Sequence, residues 1–206
     1  MSVSLKKGQK VNLSKEDVGL TKIIAALGWD EATAGQSGGK KGFWASLFAP
    51  FLNAIPIDCD ASAILLKDGR LTARKDVVYF GNLRHRSNAV QHMGDNLTGA
   101  GDGDNEMIVI QLDKVPDEYD KIVFVVNIFQ AKMRQQHFGM VRNAFIRLIN
   151  ASNNREICRY NLSEDYSGMT AMIFGEVYRQ DGEWRFNAIG QGTNDDSLTE
   201  LSRRFE

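Results

Sequence analysis

Short apolar runs separated by glycine-bearing turns dominate the chain, and each run has the length of a strand. Ala61–Leu66 is followed by Asp68-Gly69, a hairpin signal because both turn positions tolerate positive φ. Asp76–Phe80 is β-branched and aromatic and stops at Gly81-Asn82. Met107–Leu112 and Ile122–Phe129 are near-continuously apolar, a pattern that predicts strands buried on both faces. Ala144–Ile149, Glu156–Leu162, Ala171–Tyr178 and Glu183–Ile189 follow, the last two flanking Gln180-Asp181-Gly182 as a hairpin. Segments of this length at ~8–12-residue intervals predict an all-β fold, a two-sheet β-sandwich.

Helical periodicity is scarce. Ser197-Leu198-Thr199-Glu200 fits a capping box, with Leu198, Leu201 and Phe205 sharing one face, so a C-terminal helix is expected. Ala131–Gln136 predicts another short helix. The region 31–54 stands apart: Ala32–Gly42 has a linker composition, and Phe43, Trp44, Leu47, Phe48, Phe51 and Leu52 then recur at helical spacing. That aromatic stretch predicts a short helix packed on the sandwich; its alternative use, through Phe43–Leu52, is contact with a partner or a membrane surface.

Composition narrows the function. Of 206 residues, 43% are hydrophobic and 25% charged, enough for a sizeable core in one domain spanning 1–206. Lys+Arg 25 against Asp+Glu 26 leaves a net charge of -1, so nothing global favours nucleic acid, and no nucleic-acid partner is expected. No apolar run has the length of a membrane span, and the first residues lack a secretory pattern. Cys59 and Cys158 read as reduced core thiols of a cytoplasmic protein. His85, His92 and His137 are expected on the surface, Arg84-His85-Arg86 is expected to face solvent, and Met133, Met140, Met169 and Met172 are expected to fill core gaps. Neither Ser62 nor Ser167 sits in a nucleophile-elbow frame.

The densest chemistry lies in Gly94–Glu106, where Asp95, Asp102, Asp104 and Glu106 stand with Asn96 and Asn105 among four glycines. No Lys or Arg occurs between Ser87 and Asp113. Carboxylates crowded without counter-charge repel one another unless a cation joins them. Calcium, which takes oxygen ligands in flexible geometry, suits such a loop better than zinc or magnesium. It is no EF-hand, because Met107 stands where that loop turns on glycine. Asp58 and Asp60 flank Cys59 at a strand entry, pointing the same way in extended chain, and Asp30 and the pair Glu164-Asp165 add further oxygens. Ca2+ is therefore the expected ion, with Asp58, Asp60, Asp95, Asn96, Asp102, Asp104, Asn105 and Glu106 as its ligands. The same acidic set could serve a metal-dependent hydrolase or phosphoryl-transfer enzyme, which would also need a general base.

Read in order, Val3–Gly8, Gly28-Trp29-Asp30, Asp58–Ala63, Gly94–Glu106, Phe138–Val141, Ala144–Leu148, Leu162–Asp165, Thr170–Met172, Phe174–Arg179 and Gly182–Trp184 resemble the TerD family, the tellurium-resistance and general-stress domain. The resemblance implies a calcium-binding β-sandwich with a cytoplasmic, non-enzymatic role in resistance to tellurite and other stresses, working among other Ter-type proteins. It places the family's Asp-x-Asp on Asp58 and Asp60 and its acidic loop on Asp95, Asn96, Asp102, Asp104 and Glu106. Three departures stand out: Asn105 where the family commonly has Asp, an atypical insertion at about 31–54, and a changed tail after Gly192.

Overall fold

The computed structural model describes residues 2–31, 56–95 and 103–206. In chain order the strands are β1 (Val3–Leu5), β2 (Lys10–Asn12), β3 (Lys22–Glu31), β4 (Cys59–Leu66), β5 (Val77–Val78) and β6 (Val90–Asp95). They continue as β7 (Glu106–Gln111), β8 (Lys121–Ile128), β9 (Val141–Asn150), β10 (Arg155–Asn161), β11 (Ala171–Gln180) and β12 (Glu183–Thr193). Short helices are α1 (Leu13–Glu16), α2 (Ala131–Arg134) and α3 (Leu198–Ser202), the last continued by a 3-10 turn over Arg203–Phe205.

Two six-stranded sheets form, the first in the order β1-β10-β9-β3-β7-β6 and the second β2-β12-β11-β8-β4-β5. The expected two-sheet sandwich with a C-terminal helix is thus the observed architecture. Apart from the parallel β1–β10 pair, every pairing is antiparallel.

Alternation explains the packing. In β8, Ile122, Phe124, Val126 and Ile128 enter the core between the sheets, while Val123 and Val125 enter a second cluster on the outer face of the second sheet. That outer cluster exists because α3 covers it with Leu201, flanked by Leu198 and Phe205. A strand sandwiched in this way needs apolar residues on both faces, as Ile122–Val126 show. The same expectation fails for β7: Glu106, Ile108 and Ile110 are buried, whereas Met107, Val109 and Gln111 are only half-buried. Among the described residues no helix covers the outer face of the first sheet, and β7 has one dry side.

Tight turns match their sequences. Asp181 and Gly182 have φ of 54° and 76°, both positive as a two-residue hairpin of the I′ type requires. At α3 the Ser197 hydroxyl accepts from the Glu200 amide, and the Glu200 carboxylate accepts from the amide of Asp196, one residue earlier than the usual box. β1, β2, β3 and β6 are additions to the predicted set. The Asn96 and Asp102 candidates, the linker Ala32–Gly42 and the aromatic stretch Phe43–Leu52 lie outside the described residues.

Candidate functional site

Antiparallel registers carry the acid-bearing ends of β3, β4, β6 and β7 to one end of the sandwich. β3 ends there at Gly28–Glu31, paired through Leu27 with Glu106 at the start of β7. β6 ends opposite the same residue, Asp95 facing Glu106 across the ladder. β4 begins there, with Cys59 opposite Ile128 at the end of β8. The chain between β6 and β7, and that between β3 and β4, both leave and return at this end.

The exit of the acidic loop is held by three side chains. Glu106 points between the sheets, 3% exposed, and its Oε2 accepts from the backbone amide of Ala61 at 2.5 Å. His92 lies beside it, with Nε2 3.4 Å from the same carboxylate oxygen and 3.2 Å from the Ala61 carbonyl oxygen. The Gly94 amide donates to His92 Nδ1 at 3.0 Å, which leaves the ring hydrogen on Nε2, facing those oxygens. β5 pairs β4 only at Ala63 and Ile64, so Glu106 and His92 satisfy the backbone of Ala61 where that ladder has run out.

Asp104 turns instead to the outer face of the first sheet. The Arg147 guanidinium grips both of its oxygens, Nε to Oδ1 at 2.9 Å and Nη2 to Oδ2 at 2.7 Å, and reaches Glu156 through Nη1 at 3.3 Å. Asn105 Oδ1 accepts from the Trp29 amide at 2.8 Å, while its own amide donates to the Leu27 carbonyl, bridging the β3 bulge. Asp30 Oδ2 accepts from Asn143 at 2.7 Å.

Asp58 and Asp60 follow the alternation of β4. Cys59, Ala61 and Ala63 face the inter-sheet core, so Asp58 and Asp60 face outward from the second sheet, and Asp60 lines a cavity there with Ser62 and Asn127. The strand ends therefore converge, but Asp60, Asp104 and Glu106 look in three directions. Among the described residues no group of three His, Cys, Asp or Glu side chains is arranged to hold a metal. The chemistry of the donors still suits a hard ion, since Arg147 uses two of the roughly four lone-pair sites on Asp104. Glu164 pairs with Lys7 at 2.6 Å and Asp165 caps Ser167, so that pair is engaged elsewhere.

The surface expectation fails for two of the three histidines. His85 and His92 are each 1% exposed, not surface residues. His85 Nε2 lies 3.2 Å from Asp76 Oδ1, which also accepts from the Tyr119 hydroxyl at 2.9 Å, and Arg86 donates to that hydroxyl at 2.6 Å. His85 is thus anchored on a fully buried aspartate, while Arg84 and Arg86 are exposed, as expected of the triplet. Ser87 Oγ sits 2.7 Å from His85 Nδ1, but this Ser-His-Asp line is sealed inside the fold, since imidazole and carboxylate are both fully buried. The core-filling expectation also fails for Met133 and Met140, which are 71% and 37% exposed, whereas Met172 is buried and Met169 packs on the core. Both cysteines are free and buried, and burial pushes the Cys158 thiol up to about 12.

Burial holds the His85 imidazole below its ordinary pKa, Asp76 opposing that effect. The unfolded chain, with a histidine pKa of about 6.5, then takes up the proton first, so stability falls as pH drops below about 6.5 towards the depressed folded value. Melting temperature measured between neutral and mildly acidic pH is expected to fall less steeply in His85→Gln than in the parent chain.

Arg147 and His92 are the residues of this end that sequence reasoning missed. An arginine inside the apolar run Ala144–Ile149 was the signal for the first; a histidine there with no charged neighbour in sequence gave none for the second.

Comparison with known proteins agrees with the observed architecture. The TerD domain family model matches residues 1–205. A protein named stress response protein SCP2, from Bacillus subtilis strain 168, is 48% identical over 205 residues, covering 100% of both chains. A tellurium resistance protein TerD from Serratia marcescens is 46% identical, covering 93% of this chain and 91% of its own. The crystal structure of a homologue of telluride resistance protein (TerD) from Streptomyces coelicolor A3(2) superposes with a TM-score of 0.62 at 20% identity, covering 91% of this chain and 99% of that one.

Proposed function

The chain belongs to the TerD domain family, with relatives named for tellurium resistance and for stress response, and from that premise we propose that it is a calcium-binding, non-enzymatic stress-response protein of the cytoplasm. The observation that carries the calcium reading is the convergence of strand ends: the acidic loop between β6 and β7 is pinned at its exit beside the ends of β3 and β4. Asp95, Asn96 and Asp102 supply donors with no Lys or Arg in the same stretch of sequence. Asp104, Asn105 and Glu106 fix the loop and lend their remaining lone pairs. Asp58 and Asp60, facing outward from the second sheet, form a separate acidic pair at the same end. When bound, calcium supplies charge neutralisation and loop ordering.

Action by binding rather than by catalysis is supported by the state of the histidines. A hydrolytic site needs a general base within reach of substrate. His85 and His92 are buried with both ring nitrogens engaged, and His137 Nδ1 accepts from the Gly139 amide. Among the described residues no helix is long and apolar enough to cross a membrane. Other Ter-type stress proteins are the proposed partners.

An ion that binds only the folded chain stabilises it by about 2.7 kcal/mol at a hundredfold excess over Kd. Melting in millimolar calcium and again with excess chelator is expected to show that rise and its reversal. The paired substitution Asp95→Ala and Asp102→Ala should remove the rise while leaving the chelated melting temperature close to the parent value. A melting temperature indifferent to calcium in the parent chain overturns the calcium reading.

A further inference from the structure

Away from the acidic loop, a cavity of about 560 Å³ lies between the outer face of the second sheet and α3. Its size falls in the range of small-molecule sites and far exceeds the space one ion needs. Two uncharged side chains stand on its floor. Asn127 on β8 lies diagonally across the ladder from Ser62 on β4, and both line the cavity from the outer face of the sheet. Ser62 is fully buried and Asn127 is 7% exposed, yet neither Ser62 Oγ nor Asn127 Oδ1 has a hydrogen-bond partner among the described residues. Buried polar atoms in folded proteins are almost always satisfied, so neighbouring orphans in one cavity mark a place for a missing partner.

The walls call for an apolar, flat body on that partner. Phe80, Phe129 and Met133 are three of the seven large hydrophobic side chains exposed among the described residues, and all three border this cavity. Apolar surface gathered in this way marks a binding face. Arg134 already lies over the Phe129 ring at 5.0 Å, so the open ring surface is that of Tyr79 and Phe80, an edge-to-face pair with centroids 5.3 Å apart. Charge does not select the ligand. Arg74, Arg203 and Glu206 stand exposed at the mouth, where water and salt screen them, and Asp196 is paired with Lys132 at 3.7 Å. Asp60, also on the floor, is engaged in an interaction of its own. An ionic group pressed onto Ser62 and Asn127 would exchange its hydration for two neutral contacts, which is unfavourable.

We propose that this cavity binds an uncharged aromatic amide, a flat ring carrying an N–H donor and a C=O acceptor side by side. The ligand N–H donates to Asn127 Oδ1, the Ser62 hydroxyl donates to the ligand carbonyl, and the ring lies against Tyr79 and Phe80. A carboxamide and a hydroxyl each offer both a donor and an acceptor, so the complement holds for either orientation of the Asn127 amide. The site uses neither Asp60 nor any residue of the β6–β7 loop and is independent of the calcium reading.

The test is an amide-resolved NMR titration of the full isotope-labelled chain, in excess chelator, with benzamide, methyl benzoate, benzoate and benzylammonium. Benzamide is expected to give saturable shifts at the backbone amides of Ser62, Asn127 and Phe80. Methyl benzoate keeps the ring and the carbonyl but has no donor, so it should bind about tenfold more weakly, as should both ions. Ser62→Ala should weaken benzamide about tenfold while leaving the melting temperature of the free protein unchanged or higher, because it deletes an unsatisfied hydroxyl. Asn127→Leu, close in volume, should abolish the preference for benzamide over methyl benzoate. Absence of saturable shifts with all four probes, which leaves water alone in the cavity, overturns the proposal. So does binding of methyl benzoate, benzoate or benzylammonium as tight as that of benzamide, or a benzamide affinity indifferent to both substitutions.

Discussion

Replacing Arg147 with methionine is expected to lower the stability of the fold by about 3–5 kcal/mol, the scale for removing one partner of a buried ion pair. The Arg147 and Asp104 side chains are 10% and 5% exposed, and the guanidinium meets both carboxylate oxygens and a second acid, Glu156. Methionine fills much of the stem's volume, so the loss reports on the charge rather than on a cavity. Without its fork, Asp104 keeps its charge in a half-dry position against the outer face of the first sheet. Chemical denaturation of the parent and Arg147→Met chains in chelator checks the magnitude. Repeating both in calcium adds a second expectation: the calcium-dependent gain is larger in Arg147→Met, because the ion then takes over a carboxylate that the arginine had neutralised. An equal gain in both chains would place Asp104 outside the ion's reach while leaving the stability prediction intact.

Gly28→Ala is expected to cost about 3 kcal/mol, at the upper end of overpacking. A Cβ at this position would collide with the backbone carbonyl oxygen of Gly103 and with the ring of Phe145. Neither obstacle yields easily. The Gly103 carbonyl is fixed by the Asn105 bridge to Leu27 and Trp29, and the Phe145 ring is stacked under the Arg159 guanidinium at 3.6 Å. The substitution therefore pushes the exit of the acidic loop off β3, and the calcium-dependent melting shift should shrink along with the basal stability. Gly94 and Gly103 make an instructive contrast. Both have positive φ with open space around a Cβ, so alanine there costs only the backbone conformation, roughly 1–2 kcal/mol.

Much of this arrangement is readable from the chain alone, and the unread parts have physical reasons. Strands rich in Val and Ile, such as β8, announce themselves because packing on both faces leaves little room for polar residues. β3 stays hidden because its centre is Ala25-Ala26-Leu27-Gly28, small residues with weak strand preference that let neighbouring strands approach closely. β1 and β2 are three residues long, too short for any period to show. At the acidic end the residue types were legible and their directions were not. Asp104 and Glu106 are close in sequence, yet one answers an arginine from β9 and the other a backbone amide of β4. His85 and His92 read as surface residues because their partners, Asp76 and Glu106, approach from other elements. Met133 and Met140 were misplaced for the converse reason: they sit on short turns of helix outside the sandwich, where apolar character is no guide to depth.

The hairpin turns at Asp68-Gly69 and Asp181-Gly182 lie at the end of the sandwich remote from the acidic segments, since β4 and β11 both start near those segments and run away from them. Exposed tips of this kind tolerate grafted sequence. A tether or fluorescent tag spliced at 181–182 would immobilise the molecule in one known orientation, with the carboxylate-bearing pole presented to solution for direct force or surface-plasmon readout.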